Sequence, residues 1–283
     1  MTKNVSPYIY VGYHCNNNCV FCSEADEYLE KLKKKSFKEI KKEVLETRKQ
    51  YDFISFMGRE PILREDIFDI LRFSVGLGFR QVGITTNGRM FSYPRFTKEI
   101  LDTGVKQVGI SLSGATAKTH DKLTQVSGSF EQTIRGIRNI VRFKKPGVSL
   151  LVNLNLTKLN YFEFKQMLDL LIGLGVKEIN ILFIAPLSKR SRSKNIVMQM
   201  SKLGKYVFDI LKPYLKNPEL KFLLVEFLPC SLPREAKKYF FPCLEKNPHK
   251  VKIPVCKNCE YKDQCDGVLQ DYINLYGIEE FKL

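Results

Sequence analysis

Short apolar stretches alternate with longer amphipathic segments from residue 8 to about residue 184. The short stretches are typical of strands, and in the longer ones the apolar residues recur with helical periodicity. This alternation is typical of successive βα units around a parallel sheet. Six βα units form an incomplete barrel, so the expected fold is α/β, a partial (β/α)6 TIM-like barrel. The predicted strands begin near residues 8, 53, 81, 107, 149 and 178, and the predicted helices lie at about 36–50, 64–77, 95–103, 129–144 and 161–173.

The chain changes character after the sixth strand. A longer helical segment at about 196–216 precedes an apolar run at 221–228. The remainder is rich in cysteine, proline and lysine, and a loop-rich segment of this kind needs a metal centre to order it. We therefore predict a barrel domain over residues 1–217 and a small cysteine-rich C-terminal extension over residues 218–283.

Composition places the chain among ordinary globular proteins. Its 283 residues are 44% hydrophobic, which is enough for one sizeable core without disulfides. The sequence shows neither the roughly 20 apolar residues of a membrane helix nor a signal peptide, so we expect a cytoplasmic protein with reduced thiols. The formal charge of +16 favours an anionic partner, although a lysine-rich solvated surface has the same composition.

Unusual motifs follow the carboxyl ends of the predicted strands, where parallel βα barrels build their active sites. Asn153 and Asn155 lie among apolar residues of the fifth strand, and the alternation of side chains along a strand points both to one face. The other motifs are the cysteines at 15, 19 and 22, MetGlyArgGluPro at 57–61, ThrThrAsnGly at 85–88 and SerLeuSerGly at 111–114.

Cys15, Cys19 and Cys22 form a CxxxCxxC triad on one short loop. Thiolates are the usual protein ligands of iron–sulfur clusters, and a four-iron cluster normally takes four of them. Three cysteines therefore leave one iron open for a cofactor. A zinc site or three incidental thiols is the alternative, although zinc modules favour paired CxxC spacings.

The triad and the motifs after the other strands resemble the radical S-adenosylmethionine (radical SAM) superfamily. In that family the open iron of a 4Fe-4S cluster binds the methionyl amine and carboxylate of S-adenosylmethionine (AdoMet). An electron from the cluster splits a carbon–sulfur bond of AdoMet, and the resulting 5'-deoxyadenosyl radical takes hydrogen from a substrate. The resemblance thus implies a 4Fe-4S cluster, AdoMet and an external low-potential electron donor.

The resemblance also implies candidate cofactor contacts. Gly58 and Glu60 resemble the family's GlyGlyGluPro motif, whose backbone and glutamate meet the AdoMet ammonium group, although Arg59 replaces the second glycine. Ser111 resembles a serine that contacts the ribose or the methionyl carboxylate. An ordinary turn, N-cap or core role is the alternative for each candidate. The remaining candidates are Arg135 for the carboxylate, Asn153 or Asn155 for a hydrogen bond to AdoMet, and Phe21 beside the adenine.

The C-terminal extension contains five cysteines, of which the last three form CxxCxxxxxC. With either the first or the second of the five as a fourth ligand, they can enclose a second 4Fe-4S cluster, and zinc can occupy the same thiolates. The segment resembles the family's auxiliary-cluster extension, called SPASM in its two-cluster form and twitch in its truncated form. Position 269 lacks the further cysteine of a full SPASM, so the resemblance implies one cluster. Cys230, in LeuProCysSer, resembles the upstream ligand more closely than Cys243, which is a fifth candidate or a spare. The five are Cys230, Cys243, Cys256, Cys259 and Cys265.

Three hypotheses for function follow. The first is an enzyme that uses the deoxyadenosyl radical to modify a peptide or protein, as relatives with such extensions often do. The second is modification of RNA or of a phosphorylated metabolite, which the positive charge favours. The third is a non-catalytic metal-binding module. The substrate, the bond formed, the fate of AdoMet and the oligomeric state stay open.

Overall fold

A parallel sheet of seven strands is the main feature of the computed structural model, which describes residues 7–23, 34–242 and 247–282. The strands lie in sequential order, and every neighbouring pair is parallel. Within the described ranges the first and last strands do not pair with each other, so the barrel is open and the predicted partial TIM-like fold is confirmed. The strands are β1 (Tyr8–Gly12), β2 (Phe53–Gly58), β3 (Gln81–Thr86), β4 (Gln107–Leu112), β5 (Ser149–Leu156), β6 (Glu178–Phe183) and β7 (Lys221–Val225).

The seventh strand was not among the six predicted. It lies in the apolar run at 221–228, which we assign to the extension, and it pairs with β6 in the same sheet. The sheet therefore continues beyond residue 217, and the division of the chain at that residue stays a prediction.

Helices follow most strands, close to the predicted positions. The segment expected at about 196–216 contains a shorter helix, and α4 was not predicted. None of the described helices is long and apolar enough to cross a bilayer. The helices are α1 (Phe37–Arg48), α2 (Ile67–Gly76), α3 (Pro94–Asp102), α4 (Ala117–Thr124), α5 (Ser129–Phe143), α6 (Phe164–Gly173), α7 (Met200–Leu211) and α8 (Gln270–Tyr276), and two short strands, β8 (Lys250–Val251) and β9 (Val268–Leu269), pair antiparallel.

The two faces of the sheet differ in chemistry. Sequential parallel strands with right-handed crossovers place their helices on one face, and the hydrophobic core lies there. In β5, the alternate side chains Val152 and Leu154 are fully buried in that core. Asn153 and Asn155 occupy the intervening positions, on the opposite face. We call this second face the open face, and its polar side chains are placed to meet a ligand.

The C-terminal segment packs against α7 and the last strands of the sheet. The hydroxyl of the buried Tyr272 accepts a hydrogen bond from the Met200 amide at 2.7 Å and donates one to Glu280. The Tyr272 ring meets Phe183 of β6 edge to face, with ring centroids 5.7 Å apart. These contacts hold the cysteine-rich segment beside the carboxyl end of β6.

Candidate active site

The cysteine triad lies on the loop after β1, and the end of α4 supports that loop. The amides of Asn18 and Val20 donate to the carbonyls of Thr124 and Leu123, each at 2.9 Å. Phe21 is 8% exposed and packs against Leu123 in a small apolar cluster apart from the main core. Phe21 therefore helps to seat the loop, and its contact with adenine stays a prediction.

Two side chains after β3 hold the triad loop from the other side. Asn87 Nδ2 donates to Asn16 Oδ1 at 2.6 Å and lies 3.8 Å from the Cys15 sulfur. The Arg89 guanidinium donates to Asn17 Oδ1 at 2.9 Å and to the Asn16 carbonyl. The loop is thus tied to two neighbouring parts of the fold, which positions its thiols for a common ligand.

The three thiols lie close enough to influence one another. Burial, and then the nearby thiols of Cys22 and Cys15, raise the pKa of Cys19 to about 12. Burial also raises the pKa of Cys15. Thiols in this setting become thiolates only beside a strong positive charge, and a coordinated metal supplies that charge. The donor set therefore fits the iron of a cluster.

The backbones of β1 and β2 meet where both strands end. Gly58 has φ +117°, and a Cβ there would lie 2.8 Å from the nitrogen and the oxygen of Gly12. A Cβ on Gly12 would in turn lie 2.8 Å from the Glu60 backbone. Only glycine fits either position, so the chain before the triad loop rests directly on the segment 58–60.

Glu60 is 1% exposed and joins the end of β2 to the end of β3. Its carboxylate accepts hydrogen bonds from the Thr86 hydroxyl and the Asn87 amide, both at 2.7 Å, and from the Ile62 amide at 3.3 Å. Burial raises the pKa of Glu60 to about 7, and these donors oppose the rise. Among the described residues Glu60 forms no ion pair, and the Arg89 guanidinium acts on it at longer range and also opposes the rise; the charge of its ionised form can stabilise a cationic group bound nearby.

A row of polar side chains crosses the open face. Ser111 of β4 pairs in register with Asn153 of β5, and Asn153 pairs with Asn180 of β6 and accepts a hydrogen bond from its Nδ2 at 3.1 Å. Asn155 is 8% exposed. The Ser111 hydroxyl and the Asn155 amide make no hydrogen bond within the part of the chain that the structure describes, and such groups gain stability from a ligand or water. Asn180 was not among the predicted site residues, although its position in the β6 alternation identifies it.

Arg135 does not join these residues. It is exposed on the solvent side of α5, whereas Thr133, Ile134 and Ile137 of that helix are buried. Our assignment of Arg135 to the methionyl carboxylate is therefore not supported by its position, because helical periodicity turns it away from the sheet. The cations beside the triad loop are instead Arg89, which follows the AsnGly turn after β3, and Arg190, which donates a hydrogen bond to Asn18; neither was among the predicted site residues.

Cys230 lies with the last three cysteines of the chain. Burial raises the pKa of Cys230 to about 12, and the nearby thiols of Cys265, Cys256 and Cys259 contribute to the rise. These four thiols form one group, which we call the C-terminal thiol group. Cys243 lies outside the described residues. Spacing left Cys230 and Cys243 as alternatives, and the structure places Cys230 in the group.

The two thiol groups lie at the same edge of the sheet. The triad follows β1 and Cys230 follows β7, so both come after the carboxyl ends of strands that run in the same direction. These are the first and the last strands of the open sheet, and the polar row lies on the strands between them. No three His, Cys, Asp or Glu side chains among the described residues are placed to hold one metal ion together, so both metal centres are proposals.

Comparison with known proteins identifies the family. The family model described as "Radical SAM superfamily" matches residues 9–181, which is more than half of the chain and includes the triad and strands β2 to β5. The chain belongs to the radical SAM superfamily. The predicted membership is thereby confirmed, and the triad lies within the matched residues.

Curated relatives of this radical SAM protein are enzymes with different substrates. The AdoMet-dependent heme synthase of Methanosarcina barkeri is 29% identical over 185 residues, which cover 64% of this chain and 51% of that protein. The chain thus spans about half the length of that relative. The probable GTP 3',8-cyclase of Saccharolobus islandicus is 26% identical over 260 residues, which cover 88% of this chain and 80% of that protein.

Solved structures share the fold. The peptide-bound and AdoMet-bound structure of anSMEcpe aligns with a TM-score of 0.64 at 13% identity, over 98% of this chain and 92% of that one. Streptococcus suis SuiB, bound to its precursor peptide SuiA, aligns with a TM-score of 0.61 at 21% identity, over 77% of this chain and 48% of that one. At these identities the alignments establish the architecture alone.

Proposed function

We propose that this radical SAM protein is an enzyme that cleaves AdoMet reductively and abstracts hydrogen from a peptide or protein bound at the open face. Cys15, Cys19 and Cys22 would hold a 4Fe-4S cluster that, with AdoMet and an electron from an external low-potential donor, supplies the 5'-deoxyadenosyl radical. The observation that carries the proposal is the triad itself, which Asn87 and Arg89 hold beside the open face.

The residues around the triad suit AdoMet. The charge of ionised Glu60 favours a cation, which matches the ammonium group, and the glycine at 58 lets the backbone come close. Ser111 and Asn155 offer a hydroxyl and an amide whose hydrogen-bonding groups are free for a ribose or a carboxylate. Phe21 and Asn153 complete the set of proposed cofactor contacts.

The C-terminal thiol group would hold a second 4Fe-4S cluster, as in the SPASM and twitch extensions. Four thiolates complete the usual ligand set of such a cluster, so its irons would have no open position. Zinc has the same preference for four thiolates. Iron and sulfide analysis of anaerobically purified protein distinguishes the two metals.

The chemistry of the open face favours a peptide. The side chains in the middle of its strands are neutral donors and acceptors, such as Ser111, Asn153, Asn155 and Asn180. Peptide groups are neutral and present both N–H and C=O, which amide side chains match. The sheet is open at β1 and β7, so an extended chain can enter from the side. Two solved structures with this architecture hold peptides.

A phosphorylated nucleotide is the second candidate substrate. The relatives named as probable GTP 3',8-cyclases align over 88% of this chain. The basic run at 189–194 follows β6 at the carboxyl edge of the sheet, where a phosphate group could meet it. The formal charge of +16 also favours an anionic substrate.

The test is anaerobic turnover of the reconstituted protein with AdoMet and dithionite, followed by mass spectrometry of 5'-deoxyadenosine. Wild-type protein should form it, and Cys19→Ala should not. Failure to form 5'-deoxyadenosine when the N-terminal cluster is filled refutes the proposal.

Deuterated substrates then identify the substrate class. Peptides encoded near this chain form one arm, and GTP and related nucleotides form the other. Transfer of deuterium from a peptide into 5'-deoxyadenosine supports the proposal. Transfer from a nucleotide alone replaces the peptide with the second candidate.

A further inference from the structure

The loop between β6 and α7, residues 184–199, reaches the last cysteine of the triad; we call it the β6 loop. The Ser188 hydroxyl donates a hydrogen bond to the Cys22 carbonyl at 2.6 Å. Ser188 is 5% exposed, and its amide donates to the hydroxyl of the fully buried Ser191 at 3.0 Å. The Ser191 amide donates back to the Ser188 hydroxyl at 3.1 Å. The β6 loop therefore holds this hydroxyl in place for its contact with Cys22.

Arg190 of the β6 loop contacts the middle of the triad loop. Its guanidinium donates a hydrogen bond to Asn18 Oδ1. Arg89 holds Asn16 and Asn17 from the side of β3. All three asparagines that separate the first two cysteines of the triad are therefore bound by an arginine. The backbone between these cysteines is fixed from two sides.

The far end of the β6 loop is anchored to the C-terminal segment. Arg192 pairs with Asp271 of α8 at 2.9 Å. The hydroxyl of Tyr276, also on α8, donates to the Val197 carbonyl at 2.8 Å. Arg190 and Arg192 thus bind different partners although they are two residues apart. Both arginines of the basic run are engaged with the protein itself.

The Arg190 guanidinium also brings positive charge to the triad. Burial raises the pKa of Cys19, and the Arg190 charge is among the effects that oppose this rise. The guanidinium is thus close enough to favour a negative group at the triad. A 4Fe-4S cluster on thiolate ligands gains one negative charge when it is reduced. A cation held nearby therefore favours the reduced form.

We infer that Ser188 and Arg190 are positioning residues for the cluster that the triad would hold. Ser188 fixes the backbone of Cys22, and Arg190 fixes the triad loop and favours the reduced cluster. Both roles rest on the proposed function, because they require a 4Fe-4S cluster at the triad. Neither side chain has to touch AdoMet or the substrate. The basic run thereby has a role that involves no phosphate ligand.

The first measurement is the rate at which the reconstituted full chain releases iron to a ferrous chelator under anaerobic conditions. Ser188→Ala and Arg190→Gln should each release iron about tenfold faster than wild type, because each frees one anchor of the triad loop. The matched control is Arg192→Gln, which makes the same change in net charge two residues away. It should release iron as wild type does. Circular dichroism of the metal-free proteins checks that each variant folds; if Ser188→Ala does not, the two arginine variants decide the result.

The second measurement separates positioning of the cluster from a merely structural role. It is the midpoint potential of the cluster whose electron paramagnetic resonance signal changes when AdoMet is added. Arg190→Gln should lower the ratio of reduced to oxidised cluster at a fixed potential about tenfold, which is a shift of about 59 mV to lower potential. Arg190→Lys keeps the charge and should restore the wild-type potential. Ser188→Ala removes no charge and should leave the potential unchanged.

Iron release from Arg190→Gln that is no faster than from Arg192→Gln would overturn the inference, as would equal potentials for Arg190→Gln and Arg190→Lys. Weaker binding of GTP by both glutamine variants, with the triad cluster unchanged, would also overturn it and assign the basic run to a phosphate group. Formation of 5'-deoxyadenosine by wild type with dithionite tests the proposed function separately. If none forms although the triad is filled, the proposed function fails. If it forms and the two glutamine variants behave alike, the positioning roles alone are wrong.

Discussion

Replacement of Gly58 by alanine tests the close approach of β1 and β2 that supports the cysteine triad. Gly58 has φ +117°, and its added Cβ would lie 2.8 Å from two backbone atoms of Gly12. Backbone atoms cannot rotate aside as a side chain can, so the two strand ends would have to separate. Gly78 provides the matched control, because it has φ +73° but no atom within 4 Å of an added Cβ.

The expected magnitude has two parts. Holding a non-glycine residue at positive φ costs about 1–2 kcal/mol, and this applies to both alanine variants. Overpacking adds about 1–3 kcal/mol at Gly58 only. We therefore expect Gly58→Ala to lower the free energy of unfolding by about 2–5 kcal/mol and Gly78→Ala by about 1–2 kcal/mol. At roughly 2 °C per kcal/mol for a chain of this size, the losses correspond to about 4–10 °C and about 2–4 °C in Tm.

Thermal unfolding of the metal-free protein, followed by circular dichroism under reducing conditions, measures both losses. Iron bound after anaerobic reconstitution is the second readout. Gly12 directly precedes the triad loop, so Gly58→Ala should also bind less iron than Gly78→Ala. A Tm for Gly58→Ala within about 1 °C of that for Gly78→Ala would falsify the argument that the backbone contact is tight.

Three further predictions concern side chains of the two thiol groups and their surroundings. Arg89→Gln should weaken iron retention against a chelator about tenfold, because it releases the triad loop. Arg135→Gln should retain iron as wild type does. An equal loss in both variants contradicts the assignment of Arg89 to the support of the triad loop. Cys230→Ser should lose the iron of the C-terminal centre and Cys243→Ser should keep it, as measured by iron and sulfide per chain, and the reverse pattern would make Cys243 the ligand. Burial raises the pKa of Glu60 from 4.5 to about 7, so the fold favours its protonated form, and the stabilisation present below pH 4.5 is lost as the pH rises through 7. In urea unfolding, wild type should therefore gain about 3 kcal/mol relative to Glu60→Gln between pH 8 and pH 4, and a constant difference would show that Glu60 does not titrate in this range.

The sequence was sufficient for the architecture because burial on one face imposes a regular pattern. In β4 and β5, apolar residues at every second position predict the strands. Apolar residues that recur with helical periodicity predict the helices that follow the strands. The triad was equally clear, since Cys15, Cys19 and Cys22 lie within one short loop and need no tertiary contact to be recognised as a group. β7 was harder to predict from the sequence, because its apolar run follows a longer helix and adjoins the cysteine-rich segment.

Tertiary structure alone decided which distant residues belong together. The sequence singled out Arg135 and not Arg89, and only the packing of α5 turns Arg135 toward solvent while the turn after β3 brings Arg89 to the triad loop. Spacing left Cys230 and Cys243 open, the resemblance favoured Cys230, and the position of Cys230 after β7 brings it to the last three cysteines, while Cys243 lies outside the described residues. The physical reason is that periodicity reports the burial of each residue but carries no information about its partner. Partners far apart in sequence are selected by strand order and helix packing, which the whole fold determines at once.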